Sequence, residues 1–220
     1  MQKFYMNDAA TADLGTMPST NQSSTAPVVT ETGATTARKL SGAAAGSQVA
    51  DAGSAQTSAV WHWLRQFVSA PLAAQTIATG NWTVEIGGLS SSASRTFTGY
   101  VVIFVWRPST GALVGKIFDS AGTGFGTGVG TSETGIGSTT LSGSAVTVLQ
   151  GDILCVQVGM QCSSGSSATP TLDYDGTTDP ANGTAVASAA SFMNAPADIP
   201  LYVPSPYPIQ GMVGRREDNI

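Results

Sequence analysis

The apolar and polar positions of this chain follow a short-strand pattern, and its longest apolar stretch breaks that pattern. Most segments after residue 75 alternate, as in NWTVEIGG, and turn signals separate them about every 8 to 12 residues. Such spacing predicts an antiparallel β-sandwich. In GYVVIFVWRPSTG, residues 99–111, apolar side chains instead occupy both faces. A strand of this kind needs a cover on each side, because water would otherwise meet one apolar face.

The two faces of this stretch each need a cover, and the expected cover differs between them. One face carries Trp106 and its alternating neighbours, and we expect it to meet the sandwich core unless the pattern is shifted by one residue. The opposite face carries Val101, Ile103 and Val105. It needs a second cover, for which the chain's own segment 67–72, the proline-rich tail and another subunit all stay open.

The chain divides into four parts, and together they predict an all-β protein: a jelly-roll-like antiparallel β-sandwich with an extended N-terminal arm and an extended proline-rich C-terminal tail. Residues 1–58 are small and polar, so we expect a low-complexity arm that neighbouring chains order. Residues 59–71 form a hinge segment, helical or extended. Residues 72–195 carry the strand pattern. Residues 196–220 are proline-rich and should run extended along a surface.

Composition narrows the classes of function. Charged residues make up 10% of the 220 residues, 26 are glycine, and the net charge is −5. No basic patch is visible, so we expect no direct contact with nucleic acid. The longest apolar run is far shorter than the ~20 residues of a membrane helix, so we expect no membrane contact either.

Residues that carry chemistry are few. His62 is the only histidine, and no G-x-S-x-G elbow provides a nucleophile. The glycine-rich GTGFGTGVG lacks the spacing of a phosphate loop and no helix pattern follows it. We therefore expect no enzymatic activity and no cofactor. Cys155 and Cys162 are interpreted as partly buried thiols, with a disulfide as the alternative.

The segment DYDGTTD offers a weak calcium candidate. Asp173, Asp175 and Asp179 surround Gly176, and three carboxylates near a turn can hold calcium. Their spacing does not match the helix-loop-helix calcium loop. Aspartate and glycine are also ordinary turn residues, so a plain turn is the alternative.

Two further sets of residues are candidates for contact with a ligand or a partner. Exposed aromatics would indicate a carbohydrate-binding module, against the alternative that they pack in the core; these candidates are Trp82, Tyr100, Trp106 and Tyr174. The predicted interface or cover residues are Val101, Ile103, Val105, Trp61, Trp63, Phe67, Tyr202 and Tyr207.

Several stretches together resemble a known type of protein. They are FVSAPLAAQTIATGNWTV, VWRPSTGALVGKIFDS, SGSAVTVLQGDILCVQVG, DYDGTTD and the opening KFYMNDA…GTMPSTNQSS. The block from about Phe67 to Pro200 is similar to tailed-bacteriophage virion structural proteins of jelly-roll type, which decorate the head or belong to the neck or tail. The run VTVLQGDILCV recurs widely in jelly rolls and speaks for the fold alone.

The resemblance implies a function and a location. It implies a non-enzymatic virion protein, first a capsid decoration or cement protein, alternatively a neck, tail or fibre component. Its partners would be other virion proteins (capsid, neck or tail) and copies of itself in a homo-oligomer. A carbohydrate-binding module stays open as a further alternative outside this class.

Overall fold

The computed structural model describes residues 1–11, 14–24, 28–44, 46–120, 124–181 and 183–204. Within these ranges the chain forms strands, turns and loops and no helix. None of the described residues belongs to a helix long and apolar enough to cross a membrane. The prediction of an all-β protein with a β-sandwich is confirmed.

Fifteen strands make up the fold. They are β1 (Gln2–Ala10), β2 (Val28–Thr30), β3 (Ala37–Ser41), β4 (Val49–Ala52), β5 (Trp61–Val68), β6 (Gln75–Ile77), β7 (Gly80–Ser90), β8 (Thr96–Arg107), β9 (Ala112–Asp119), β10 (Phe125–Val129), β11 (Thr134–Gly143), β12 (Val146–Val148), β13 (Ile153–Cys162), β14 (Pro170–Tyr174) and β15 (Phe192–Ala195).

One large sheet runs through the molecule. Thirteen strands follow the order β10-β8-β13-β5-β3-β1-β15-β7-β14-β4, with β11 on β7, β2 on β5 and β9 on β8, while β12 and β6 form a separate pair. The pairs β2–β5 and β3–β5 are parallel and the others antiparallel. Side chains from β8 and β13 share one buried cluster with side chains from β7, β14 and β15. The sheet therefore folds over itself, and its two halves enclose the main core.

The N-terminal segment is extended, but it is part of this sheet. Within residues 1–58, β1 pairs with β15 and β3, β3 and β2 pair with β5, and β4 pairs with β14. Phe4 and Met6 of β1 are buried in the main core opposite Met193 and Leu40. The boundary predicted at residue 58 does not separate the described N-terminal strands from the sandwich. Small polar residues pair readily through main-chain hydrogen bonds, which composition does not reveal.

The segment predicted as a hinge is a central strand. β5 lies between β13 and β3, and every one of its eight residues is buried. Of the helical and extended alternatives, the extended one is correct. Burial on both faces explains why WHWLRQFV shows no clean alternation.

The two faces of β8 are buried in different clusters. Val101, Ile103 and Val105 belong to the main core with Phe67 and Leu72. The opposite face is buried in a second cluster, which contains Tyr100, Val102, Phe104 and Trp106. The expectation that Trp106 faces the sandwich core is wrong, and the alternative shifted by one residue is correct.

Both cysteines are free thiols. Cys155 lies in the second cluster and Cys162 in the main core, and neither is exposed. The disulfide alternative is therefore wrong. Burial raises the pKa of the Cys155 thiol well above its ordinary value, so this side chain packs as a small apolar group.

Truncation of a β8 side chain should show how much the main core depends on this strand. We expect Ile103→Ala to lower the free energy of unfolding by about 2–5 kcal/mol, because it leaves a cavity in a fully buried site. Ile103→Asp should prevent folding. Leu113→Ala, on the neighbouring β9 at 40% exposure, is the control and should change stability by less than about 0.5 kcal/mol. Urea unfolding followed by tryptophan fluorescence measures both; a folded Ile103→Asp variant would contradict the assignment.

Candidate functional site

An irregular segment covers the outer face of β5, β8 and β13. Residues 14–24, here called the strap, contribute Leu14 and Met17, which pack on the second cluster beside Val28 and Ala37. This is the cover that the two-faced apolar stretch requires. It comes from the N-terminal segment of the same chain and covers the Trp106 face. The face of Val101, Ile103 and Val105, for which residues 67–72, the tail and another subunit stayed open, lies in the main core, to which Phe67 and Leu72 belong.

Two fully buried glutamines hold the strap to the sheet. The Gln66 amide donates to the carbonyl oxygens of Pro18 (3.1 Å) and Thr35 (2.8 Å). The Gln157 amide donates to Thr20 O (3.0 Å), and its carbonyl oxygen accepts from Gln22 N (2.7 Å). A backbone without a strand partner needs such donors and acceptors when it is buried.

Aromatic side chains add two more links to the strap. Trp106 Nε1 donates to Thr16 O at 2.6 Å. The Tyr100 hydroxyl donates to Asn21 Oδ1 at 3.1 Å. Burial raises the pKa of Tyr100 to about 12, so the phenol stays protonated and keeps its role as donor. Both aromatics thus combine apolar packing with a polar anchor.

A single carboxylate fixes the end of the strap. Asp119, the last residue of β9, accepts hydrogen bonds from Ser24 N (2.7 Å), Ser24 Oγ (2.9 Å) and Ser23 Oγ (3.1 Å). Lys116 Nζ lies 3.3 Å from Asp119 Oδ2. The serines of NQSS, which read as low complexity in the sequence, are therefore specific ligands of one aspartate.

The residues predicted as an interface are mostly internal. Val101, Ile103, Val105, Trp63 and Phe67 are fully buried within the chain. They therefore have no surface left for direct contact with another subunit.

The remaining predicted interface residues differ in their placement. Trp61 is 7% exposed and stacks at 4.9 Å on the Tyr100 ring. Tyr202 is half-buried, and its backbone N–H donates to Pro71 O at 2.8 Å. Tyr207 lies outside the described residues. Among the described residues of this set, Tyr202 alone has a side chain that is half-buried rather than buried.

Three exposed apolar side chains lie on two segments that both contact Leu72. Leu201 pairs with Leu72, and Gly151 N donates to Leu72 O, so the 149–152 turn and residues 201–203 flank Leu72. Leu149 is 56% exposed, Leu201 39% and Val203 80%. We call these three residues the end patch. The described chain ends one residue beyond it, at residue 204.

The calcium candidates do not form a common site. Asp175 Oδ2 accepts from Asp8 N at 3.0 Å, Asp179 pairs with Lys3, and Asp173 is buried on the outer side of β14. In the described part of the chain, no group of three or more histidine, cysteine, aspartate or glutamate side chains is arranged to hold a metal ion.

A second cover lies on the opposite outer face. Residues 176–191, without the undescribed position 182, pack on β7, β11 and β14, and we call them the outer loop. Gly135 N donates to Thr184 O and Val186 N donates to Glu133 O. A Cβ at Gly135 would overlap the Ala181 backbone, so glycine permits this close approach.

Two carboxyl groups are buried on this outer side. Burial raises the pKa of Glu85 to about 7. Burial, followed by the charges of Glu133 and Asp51, raises the pKa of Asp173 to about 7. Glu85 Oε2 and Asp173 Oδ2 have no hydrogen-bond partner among the described residues. The sequence marked Asp173 only as a weak calcium candidate and gave no sign that Glu85, at an ordinary alternating position, is buried.

His62 belongs to a polar cluster whose geometry differs from that of a nucleophile triad. Its Nδ1 contacts Glu31 Oε1 and lies 3.4 Å from Ser54 Oγ, which donates to the same carboxylate at 2.8 Å. In a triad the acid and the hydroxyl use opposite ring nitrogens; here both reach Nδ1. Although burial opposes it, hydrogen bonds from Ser54 and His62 lower the pKa of Glu31. The cluster links two loops to β5.

The sequence contained one overlooked signal for the strap. Gln66 and Gln157 are polar residues within two mostly apolar strand sequences, WHWLRQFV and ILCVQVGMQC. A glutamine in such a place needs buried hydrogen-bond partners, and those partners are strap carbonyls. Asp119, by contrast, lies at a strand end where aspartate is common.

Neither a protein-family model nor a curated protein matches this chain.

Loss of one glutamine should loosen the strap. We expect Gln157→Leu to lower the free energy of unfolding by about 1–3 kcal/mol, because Thr20 O and Gln22 N lose their partner. Thermolysin should then cleave near Leu14 or Met17 faster than in the wild type. Gln161→Leu, on the same face of β13 but half-buried, is the matched control. Equal cleavage in both variants would contradict the role of Gln157.

The buried Glu85 should make stability depend on pH. Its folded pKa of about 7 lies above the ~4.3 of an unfolded chain, so its stabilising proton is lost as pH rises through the folded value. We expect Glu85→Gln to gain stability over the wild type progressively from pH 5 to pH 8, by up to about 1–4 kcal/mol. Urea unfolding at each pH measures this difference. Asp198→Asn, at an 85% exposed side chain, should show no such trend, and a pH-independent Glu85 effect would refute the assignment.

Proposed function

We propose that this chain is a non-enzymatic structural protein of a tailed-bacteriophage virion, in first place a capsid decoration or cement protein. The end patch carries the proposal, since it leaves Leu149, Leu201 and Val203 exposed on the two segments beside Leu72. Apolar residues grouped at one surface are typical of an interaction site. The sequence resemblance supplies the class of particle.

The strap and the outer loop limit which surfaces of such a subunit would be free for assembly. The strap and the outer loop pack on their own chain, so the described N-terminal segment is not a tether reaching to neighbours, as the sequence had suggested. Contacts between subunits would instead form at the ends of the sandwich. The end patch, followed by the proline-rich tail, provides an apolar contact with few charges to repel a like subunit.

Two roles within this class differ in their position in the particle and in their copy number. A decoration protein binds the shell in hundreds of copies, whereas a neck, tail or fibre component is present in rings or spikes of few subunits. In both roles the partners are other virion proteins and copies of this chain, and the location is the virion. Counting copies per particle by quantitative mass spectrometry of purified virions separates them.

The carbohydrate-binding alternative loses its candidate residues. Trp82, Tyr100 and Tyr174 are fully buried and Trp106 is 8% exposed. Sugar rings stack on exposed aromatic faces, so none of these four side chains offers a platform in the folded chain. No described aromatic residue favours this alternative over the structural role.

The end patch should drive self-association. We expect Leu201→Asp with Val203→Asp to weaken association of the full chain by about tenfold or more, because two charges replace apolar contact surface. Sedimentation velocity over a range of concentrations measures this. Val29→Asp is the matched control: Val29 is also 39% exposed, and it lies beside His62 at the opposite end of the β5 and β13 strands.

Two outcomes would count against the end patch. One is a wild-type chain that stays monomeric at high concentration and fails to bind purified particles. The other is an equal effect of Val29→Asp, which would show that any new surface charge disturbs association.

A further inference from the structure

Arg95 is a buried cation without a partner. It ends the loop between β7 and β8 and is 3% exposed. Its Nε, Nη1 and Nη2 atoms have no hydrogen-bond acceptor among the described residues, and no described carboxylate lies within ion-pair distance. A guanidinium stays charged at all relevant pH values. This full positive charge therefore lies away from water with no carboxylate opposite it in the described part of the chain.

A second buried arginine, Arg65, has partners within the chain. Arg65 is 8% exposed, but its guanidinium pairs with the Asp51 carboxylate and donates to Gly33 O at 3.0 Å. Burial of an unpaired charge is strongly unfavourable, whereas a paired and hydrogen-bonded one is tolerated. The contrast with Arg65 indicates that Arg95 has a partner outside the described residues.

The surroundings of Arg95 contain further unused donors. Gln56 is 3% exposed; its carbonyl oxygen accepts from Cys162 N at 3.1 Å, while its Nε2 has no described partner. Burial raises the pKa of the Cys162 thiol, with the Ser90 hydrogen bond and the charge of Arg95 opposing this effect. Arg95 and Gln56 thus both lie around Cys162. Together they present four unpaired nitrogen atoms and a positive charge.

A short exposed loop lies directly over Arg95, so a ligand reaches the guanidinium only when this loop moves. Residues 163–167, SSGSS, are mostly exposed, and a Cβ at Gly165 would overlap Arg95 Nη1. Gly165 has φ +137°, a backbone conformation that favours glycine. The loop therefore rests directly on the guanidinium. Hydrogen bonds from Ser163 N to Thr96 O (2.9 Å) and from Gly165 N to Thr57 O (3.2 Å) hold it, so its displacement breaks these two bonds and no strand.

We propose that Arg95 and Gln56, beneath residues 163–167, bind a small oxyanion of the phosphate class. The planar guanidinium donates two parallel hydrogen bonds to such an anion, and the Gln56 amide adds another. A side chain carboxylate from another subunit fits less well, because its main chain would have to pass the loop to reach a site that is 97% enclosed by this chain. This site is independent of the end patch.

Thermal unfolding with inorganic phosphate tests the proposal on the full chain. In a low-anion buffer, phosphate at about 100 times Kd should raise the wild-type Tm by about 5–10 °C. Arg95→Met removes the charge and keeps the volume, so this shift should disappear. Arg95→Lys keeps the positive charge but loses the planar guanidinium that donates two parallel hydrogen bonds. We expect its Kd for phosphate to rise about tenfold. Arg38→Met, at an arginine already paired with Asp8, should respond like the wild type.

Parallel titrations with sulfate and acetate identify the ligand class. A saturable effect of phosphate and sulfate with a weaker one of acetate supports a tetrahedral oxyanion. Equal Tm shifts in the wild type and Arg95→Met would overturn the proposal, since they indicate general salt stabilisation. An Arg95→Met variant that only lost self-association would also overturn it in favour of a partner's carboxylate. If Arg95→Met does not fold, absence of saturable phosphate binding to the wild type by calorimetry is the overturning result.

Discussion

The structure depends on one constraint: β5, β8 and β13 are mostly apolar and buried on both faces, so each face must be shielded from water. The other half of the folded sheet shields one face through side chains such as Ile86 and Leu172. The strap shields the other with only Leu14 and Met17 as apolar contacts. So few apolar residues could not hold an irregular segment by burial alone. Hydrogen bonds from Gln66, Gln157 and other inward polar groups supply the remaining attachment.

Buried polar groups fall into two kinds in this molecule. Some are matched, as Gln157 is with Thr20 and Gln22 beneath the strap and Arg65 is with Asp51. Others have atoms without a partner among the described residues, as Glu85 on β7 and Arg95 beneath the SSGSS loop do. The matched groups beneath the strap specify one arrangement of it. The unmatched groups mark places where a proton or an external ligand changes the energy of the folded state.

The sequence predicted the class of fold and the need for cover, because both follow from where apolar residues stand along strands. The β8 stretch showed two buried faces before any partner was known. Residues 1–58 were harder to interpret, since Phe4, Met6 and Leu40 are the large buried side chains that their described part contributes to the main core, and many other contacts use main-chain atoms. The face of Trp106 was misassigned because both faces of β8 are equally apolar. Neither Glu85 nor Arg95 could be recognised, since burial of a charged residue depends on loops far away in sequence.

The connection of β1 to β15 constrains the order in which the chain acquires its structure. Tyr5 of β1 pairs with Phe192, and the strap needs Gln157 of β13, so β1 and the strap complete their contacts only after these much later residues have been made, although β1 also pairs with the nearer β3. Contacts between such distant parts of a chain form slowly, because a long loop must close first. Until then, the outer face of β5 and β8 is uncovered. The strap and the pairing of β1 with β15 thus complete the fold late.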